Sequence, residues 1–467
     1  MLFSSITFLY YFLPLVLLFY FIVPEKLKNS VLLFSSLIFY GWGEPKYIVW
    51  MVLSIVIHYI LGILIEKHAG TKKAELWLVI SIIFSIGLLG YFKYTDFFIS
   101  NINKVTGLSL PMLSIALPVG ISFYTFQILS YTIDVYRGHA KAQKNFVSLA
   151  TYVTLFPQLI AGPIVRYVDI ASALEHRTHS FAKWRTGLRR FLFGLGKKVL
   201  IANSLGEISG IFKSTNQNTV LFYWMYAVAF TLQIYFDFSG YSDMAIGLGK
   251  LFGFDFQENF NYPYISRSIT EFWHRWHISL GTWFRDYLYI PLGGNRVKKS
   301  RWLFNILVVW VLTGLWHGAA WNFIVWGLMF ALLLINEKLW LGKAINRLPN
   351  IFSHLYVLLF VGIGFVIFDA ASMGEAIKRI ASMFGMGKIE LADIQSIYYL
   401  RSYGLLLIIA AVGCTPLPKR CVARIRKIPH MDHVLAVLEP IFCVILLLTA
   451  TAYLVDASFN PFLYFRF

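Results

Sequence analysis

Long apolar runs recur along most of this chain, and runs of this length must be buried in a protein core or in lipid. About 20 residues of helix cross the hydrocarbon core of a bilayer. The 467 residues are 58% hydrophobic and only 14% charged, and their mean hydropathy is +0.66, which is not the profile of a soluble domain. The runs predicted to span a membrane lie at 6–23, 29–43, 47–65, 74–92, 115–135, 146–165, 219–238, 302–316, 319–336, 352–369, 402–417 and 434–455. The shorter ones are expected to be tilted or re-entrant. We therefore predict an all-α polytopic membrane protein.

Basic residues gather between the apolar runs. The net charge is +18, but short Lys and Arg clusters beside apolar runs are typical of residues that orient membrane helices. We therefore expect membrane lipids as neighbours and no nucleic-acid partner. The clusters lie at Lys26/Lys28, Lys67/Lys72/Lys73, Arg137/Lys141/Lys144, Arg296 to Arg301, Lys338/Lys343/Arg347 and Lys419 to Lys427. Placing them in the cytoplasm and counting spans predicts that both termini face the outer side.

Two histidine-bearing, tryptophan-rich segments interrupt the apolar pattern, at Glu271–His277 and Gly314–Gly318. An ionisable side chain among apolar ones is costly, so it is a functional candidate by default. Burial keeps an imidazole neutral and able to accept a proton. For His317, a packing role and a functional role remain equally open from the residues alone.

His274 and His277 are three residues apart and would share one face of a helix, as a pair of metal ligands does. A third ligand at fixed spacing is absent from the sequence around them, so we expect no metal site. A role for His277 in orienting substrate or relaying protons fits this pattern better.

Residues 239–300 form the least hydrophobic stretch of the central part of the chain, and they mix charges with aromatic residues. Such a mixture is typical of backbone that lines a cavity. The residues expected to form ion pairs there are Arg275, Arg285 and Asp286. Asp237 and Asp243 could be paired charges or polar lining. Ser180–Ile201 mixes basic and apolar residues at helical spacing, which predicts an interfacial or re-entrant helix.

The apolar runs continue without a soluble linker, so we predict a single membrane domain over residues 1–467. It comprises N-terminal helices (1–170), a core with both histidine segments (171–345) and C-terminal helices (346–467). The sequence contains neither a Gly-x-Ser-x-Gly nucleophile motif nor a phosphate-binding Gly-Lys-Ser/Thr loop. ATP-driven chemistry is therefore not expected.

Several longer motifs resemble those of the membrane-bound O-acyltransferases, in the bacterial branch similar to alginate O-acetylase. The resemblance covers almost the whole chain. The motifs that carry it are Phe156–Arg166, Tyr235–Asp243, Phe272–Leu280, Trp283–Gly294, Gly314–Trp321 and the terminal Asn460–Phe467. One departure is His274, where relatives usually have arginine.

The resemblance implies a ring of about ten or more transmembrane helices, with re-entrant or interfacial helices, around a central funnel. It also implies that His317 is the catalytic histidine and His277 the second histidine of the bacterial branch. Residues expected to bind substrate or donor, or to support the site, are Trp273, Arg275, Trp276, Arg285, Asp286, Trp316, Asn322 and Arg166. Arg166 could contact an anionic donor or a lipid headgroup.

The function implied by the resemblance is O-acetylation of a polysaccharide outside the bacterial cytoplasmic membrane. The acetyl donor would be a cytoplasmic thioester such as acetyl-CoA, with no bound cofactor. The partner would be an extracytoplasmic SGNH-type acetyltransferase or a small membrane protein. Two alternatives remain: a teichoic acid D-alanyl transferase, and a proton-coupled transporter or lipid flippase.

Overall fold

The computed structural model describes residues 1–160, 162–215, 218–345, 347–456 and Leu463. Within these residues the chain is helical and forms no strand, only an isolated bridge between Thr219 and Glu390. The prediction of an all-α polytopic membrane protein is confirmed. The terminal motif Asn460–Phe467 lies outside the described residues except for Leu463.

The α-helices vary in length from 4 to 32 residues. In chain order they are α1 (Leu13–Ile22), α2 (Lys28–Gly41), α3 (Ile48–Lys67), α4 (Lys72–Leu89), α5 (Thr95–Thr106), α6 (Ile121–Tyr136), α7 (Phe146–Thr154), α8 (Phe156–Leu159), α9 (Tyr167–Glu175), α10 (Phe181–Gly196), α11 (Asn203–Ser214), α12 (Val220–Leu251), α13 (Ile269–Arg275), α14 (Ile278–Phe284), α15 (Lys299–His317), α16 (Trp321–Asn336), α17 (Gly342–Ile345), α18 (Asn350–Asp369), α19 (Met373–Met383), α20 (Ile394–Gly413), α21 (Leu417–Ile425) and α22 (Met431–Asp456). Short π-helical turns extend several of them, for example after α10 and α16.

Seven helices in the described part of the chain are long and apolar enough to cross a membrane. They are Ile48–Lys67, Lys72–Thr106, Val220–Leu251, Trp321–Ile345, Asn350–Asp369, Ile394–Gly413 and Met431–Asp456, and Phe8–Ile22 is a shorter apolar helix. The run predicted at 146–165 is not one helix, because the backbone turns at Leu155 (φ −48°, ψ 108°) before Pro157. The helix predicted at Ser180–Ile201 is present as α10 and its π-helical extension.

The chain divides into two compact units. The first comprises Met1–Phe191 and Ser242–Gln257. Its core includes phenylalanine rings in edge contact, such as Phe12 and Phe156 at 5.5 Å. Asp243 forms an ion pair with Arg190 at 2.8 Å, so it is a paired charge.

The second unit comprises Leu192–Tyr241 and Glu258–Phe467. Asp237 in this unit is also a paired charge, because it forms an ion pair with Lys198. Both side chains are almost completely buried, at 2% and 3% exposure. The backbone N–H of Leu463 donates a hydrogen bond to the Asp237 carboxylate at 2.8 Å.

A hairpin of α15 and α16 forms the part of the second unit that carries His317. Two glycines bring the helix backbones together. A Cβ atom on Gly314 would lie 2.2 Å from the Phe323 carbonyl oxygen, and one on Gly327 would lie 2.3 Å from the Trp310 carbonyl oxygen. Small residues permit such close approach of membrane helices. The runs predicted at 302–316 and 319–336 are therefore the two helices of this hairpin.

Replacing Gly314 by Ala is expected to destabilise the hairpin. The new methyl group would meet backbone atoms, which cannot rotate away as a side chain can, and overpacking of this kind costs about 1–3 kcal/mol. Thermal unfolding of the detergent-solubilised protein measures the effect. Gly404→Ala is the control, since a Cβ there meets nothing within 4 Å. Equal melting temperatures for the two variants would contradict the close contact.

Replacing Lys198 by Met is expected to leave the Asp237 carboxylate buried and unpaired. Breaking a buried pair in this way costs about 3–5 kcal/mol. The double change Lys198→Met with Asp237→Asn removes the stranded charge and should recover part of that loss. Denaturant titration in mixed micelles compares both with the exposed control Lys72→Met. A double variant as unstable as the single one would contradict this prediction.

Candidate active site

The segment between α12 and α15 carries the first histidine motif. Ser268 begins α13 by accepting a hydrogen bond from the Glu271 backbone N–H at 3.0 Å. The helix ends at Arg275 because Trp276 is extended and His277 adopts a left-handed conformation (φ 44°, ψ 53°). This conformation is uncommon for a residue other than glycine and costs energy, and such residues cluster at functional sites. His274 and His277 therefore do not share a helix face, so the predicted placement of this pair on one face of a helix is wrong.

His277 is buried between aromatic rings, with 2% of its surface exposed. The rings of Phe238 and Trp316 contact it, with centroids at 4.7 Å and 5.9 Å. Burial lowers the pKa of His277 to about 3, so the imidazole is neutral near pH 7. Its Nδ1 atom lies 3.2 Å from the side-chain oxygen of Asn259.

Asn259 also organises the start of α14. Its backbone oxygen accepts a hydrogen bond from the Ile278 N–H at 3.0 Å. Its side-chain oxygen accepts one from the Ser279 N–H at 3.2 Å and one from the Ser279 hydroxyl at 2.9 Å. His277 provides no side-chain cap of its own, so Asn259 satisfies the first N–H groups of this helix instead. Sequence reasoning missed Asn259, and its only signal was its place in the polar stretch 239–300.

His317 is the last residue of α15 and is also buried, with 5% exposure. Aromatic rings enclose it: Trp316, Trp326 and Phe368 have centroids at 5.0, 5.1 and 5.2 Å. Asn322 supports this enclosure, because its amide donates hydrogen bonds to the carbonyl oxygens of residues 367 and 370, on either side of Phe368.

One cavity of about 420 Å³ in the second unit is lined by both histidines. Trp273 and Trp310 form part of its wall, with ring centroids 4.8 Å apart. Two basic side chains of the lining, Arg285 and Lys338, are exposed, whereas His277 and His317 are buried. The cavity thus combines exposed basic side chains with imidazoles that lie among aromatic rings. The full lining is Thr270, Trp273, His274, Trp276, His277, Ile278, Leu280, Gly281, Thr282, Phe284, Arg285, Tyr289, Ile306, Val309, Trp310, Thr313, His317, Leu334 and Lys338.

The other predicted site residues fall into three groups. Trp273, Trp276 and Arg285 line the cavity with the histidines. Four others do not line the cavity but contact residues near it. Arg275 pairs with Glu271 at 2.9 Å, and Asp286 pairs with Arg285 at 2.7 Å. Trp316 contacts the rings of His277 and His317, and Asn322 donates hydrogen bonds to the backbone on either side of Phe368. Arg166 belongs to the first unit, where it pairs with Asp169 at 2.8 Å at the start of α9. The predicted ion pairing of Arg275, Arg285 and Asp286 is confirmed.

The arrangement suits proton transfer. Two buried imidazoles in one cavity can take a proton from a bound hydroxyl, and the low dielectric around them strengthens every electrostatic contact they make. His274 is exposed at the cavity surface, so its environment differs from that of His277.

Comparison with known proteins agrees with the motifs. Residues 136–368 match the model of the membrane-bound O-acyltransferase family. The "Probable alginate O-acetylase AlgI" of Azotobacter vinelandii is 43% identical over 84% of this chain and 80% of its own length. The "Peptidoglycan O-acetyltransferase" of Helicobacter pylori is 35% identical over 84% of this chain and 82% of its own length. The "Teichoic acid D-alanyltransferase" of Bacillus subtilis is 30% identical over 54% of this chain and 68% of its own length.

All of these relatives are named for enzymes that transfer an acyl group. Identity above 40% across four-fifths of both chains is far more than a shared helical composition produces. The chain is an acyltransferase that crosses the membrane several times, and it belongs to the membrane-bound O-acyltransferase family.

Proposed function

We propose that this enzyme is an O-acetyltransferase that modifies a polysaccharide outside the bacterial cytoplasmic membrane. The observation that carries the proposal is a shared cavity lined by buried His277 and His317 together with the exposed basic side chains of Arg285 and Lys338. The names of the more similar relatives support acetyl transfer to a polysaccharide. The D-alanyl alternative has weaker support, because the relatives with that activity match a smaller part of the chain. Family membership leaves the transporter alternative without support.

The donor in this proposal is an acyl thioester such as acetyl-CoA, which enters from the cytoplasm. Lys338 and Arg285, the latter paired with Asp286, are exposed basic side chains of the cavity lining and are complementary to a phosphorylated donor. The tryptophan wall formed by Trp273 and Trp310 accommodates the less polar arm and excludes water from the thioester. Water exclusion matters because a reactive acyl group is otherwise hydrolysed.

His317 acts as the general base. It removes the proton from the acceptor hydroxyl, and the oxygen attacks the thioester carbonyl carbon. A C–O bond forms, the C–S bond breaks, and the leaving thiolate takes the proton from the imidazolium. A buried imidazole enclosed by Trp326 and Phe368 suits this step, and positioned proton transfer contributes roughly 10²–10⁴-fold to the rate.

The termini face the outside in this proposal, and the basic clusters lie in the cytoplasm. An extracytoplasmic SGNH-type enzyme or a small membrane protein completes transfer to the polysaccharide. The membrane enzyme therefore supplies the acetyl group on one side for use on the other. The positive-inside pattern of the sequence supports this orientation.

Replacing His317 by Ala is expected to lower acetyl transfer by about 10²–10⁴-fold, because the acceptor hydroxyl loses its base. The measurement is transfer of labelled acetyl from acetyl-CoA by the reconstituted protein together with the partner from its gene neighbourhood. His433→Ala, at an exposed position, is the control. Full activity in a folded His317→Ala variant would contradict the assignment. Wild-type transfer only from a D-alanyl carrier would favour the alternative reaction.

Replacing Gly281 by Phe is expected to obstruct the cavity and reduce transfer by about tenfold or more, as steric discrimination of about 1–3 kcal/mol implies. Gly281 lines the cavity, and a Cβ there meets nothing nearer than the Trp273 carbonyl oxygen at 4.0 Å. The fold should therefore tolerate both Phe and the smaller control, Gly281→Ala. Initial rates against acetyl-CoA concentration test this. Unchanged rates for Gly281→Phe would show that the donor does not use this cavity.

A further inference from the structure

The hydrogen bonds around Asn259 determine which way its amide group points. The Ser279 backbone N–H lies 3.2 Å from one terminal atom of the Asn259 side chain. A backbone N–H can only donate, so this terminal atom must be the oxygen. A reversed amide would place two donors face to face. The Ser279 hydroxyl, at 2.9 Å from the same atom, is compatible with the oxygen because it can donate as well.

The orientation of Asn259 in turn determines the tautomer of His277. The Nδ1 atom of His277 lies 3.2 Å from the Asn259 oxygen, which only accepts. Nδ1 must therefore carry the hydrogen. Because burial keeps the ring neutral, there is one ring hydrogen, and Nε2 holds a lone pair.

The Nε2 atom of His277 is the part of the ring left for a substrate. It is buried, and it has no hydrogen-bond partner among the residues that the structure describes. His277 lines the same cavity as His317. The contacts with Phe238 and Trp316, together with the bond from Nδ1, restrict rotation of the ring.

We propose that Asn259 is a positioning residue that holds His277 in the Nδ1–H form, so that Nε2 accepts a hydrogen bond from a substrate O–H or N–H group in the cavity. The tautomer follows from the contacts and the burial of the ring, whereas the substrate group rests on the proposed function. In this form the one ring N–H of His277 is bonded to Asn259, so none is free for a developing oxyanion. His277 therefore orients a substrate rather than stabilising negative charge.

The orienting role has a chemical consequence for the reaction. An O–H or N–H held at Nε2 of His277 is fixed relative to His317, the base, because both side chains are buried in the same cavity. Such positioning raises the rate by holding reacting atoms in near-attack geometry. The groups that share the cavity with His277 and titrate or carry charge are His274, Arg285, Tyr289, His317 and Lys338.

The first test is spectroscopic and needs no substrate. Solid-state ¹⁵N NMR of histidine-labelled protein in lipid reports which ring nitrogen is protonated. Subtracting the spectrum of the His277→Gln variant isolates the His277 signals. Wild type is expected to show a protonated Nδ1 and a bare Nε2. Asn259→Asp is expected to show two protonated nitrogens near pH 7, because a carboxylate at this place stabilises the imidazolium. A wild-type signal with hydrogen on Nε2 would overturn the proposal.

The second test is the pH profile of acetyl transfer. In Asn259→Asp the Nε2 lone pair appears only after the imidazolium loses its proton, so the acid limb of kcat/KM should move upward by at least about one pH unit. Asn261→Asp is the matched control: it makes the same change in the same segment at an exposed side chain. An acid limb of kcat/KM that is unchanged in both variants would overturn the substrate role of Nε2. If the wild type transfers no acetyl group, the proposed function fails, and the NMR result still decides the tautomer.

Discussion

The contact between the backbones of α15 and α16 positions the rest of the site. Gly314 and Gly327 let the two helices approach so closely that a methyl group would meet a carbonyl oxygen. This approach places His317 at the turn of the hairpin, with Trp326 from the second helix against its ring. Asn322, one residue into α16, then ties the hairpin to the backbone around Phe368. A helix pair held by bulkier residues would separate the histidine from the rings that enclose it.

Burying a charge is costly, and this protein limits that cost in two ways. Two aspartates are paired, Asp243 with Arg190 and Asp237 with Lys198, because an unpaired buried charge is expensive. His277 and His317 are instead buried among aromatic side chains, and burial keeps the His277 ring neutral. A neutral ring costs less to bury and retains a lone pair for chemistry. The difference between these two solutions separates the structural charges from the proposed catalytic groups.

The left-handed backbone at His277 and the capping role of Asn259 are two parts of one arrangement. A residue in this conformation cannot continue α13, so the chain breaks and a new helix begins at Ile278. The N–H groups at that new start need acceptors, and Asn259 supplies them. The same side chain reaches Nδ1 of His277, so the cap and the orientation of the imidazole depend on one residue. The strain at His277 is thus offset by hydrogen bonds that also define its chemistry.

The all-α membrane class and the burial of His277 and His317 could be predicted from the sequence, because hydropathy and the rarity of ionisable residues in apolar runs are properties of the chain read in one dimension. The ion pair of Arg275 with Glu271 follows from helical spacing and was equally accessible. The break between α13 and α14 could not be predicted, since it depends on the φ and ψ angles of His277, which no residue pattern in this segment indicates. Asn259 lies 18 residues before His277, and only folding brings the two together. The sequence by itself therefore determined that this is an all-α membrane protein with two histidines in apolar segments. Only the tertiary structure decided that His277 and His317 line one cavity and which ring nitrogen of His277 carries the hydrogen. Both features depend on contacts between residues that are far apart in the chain.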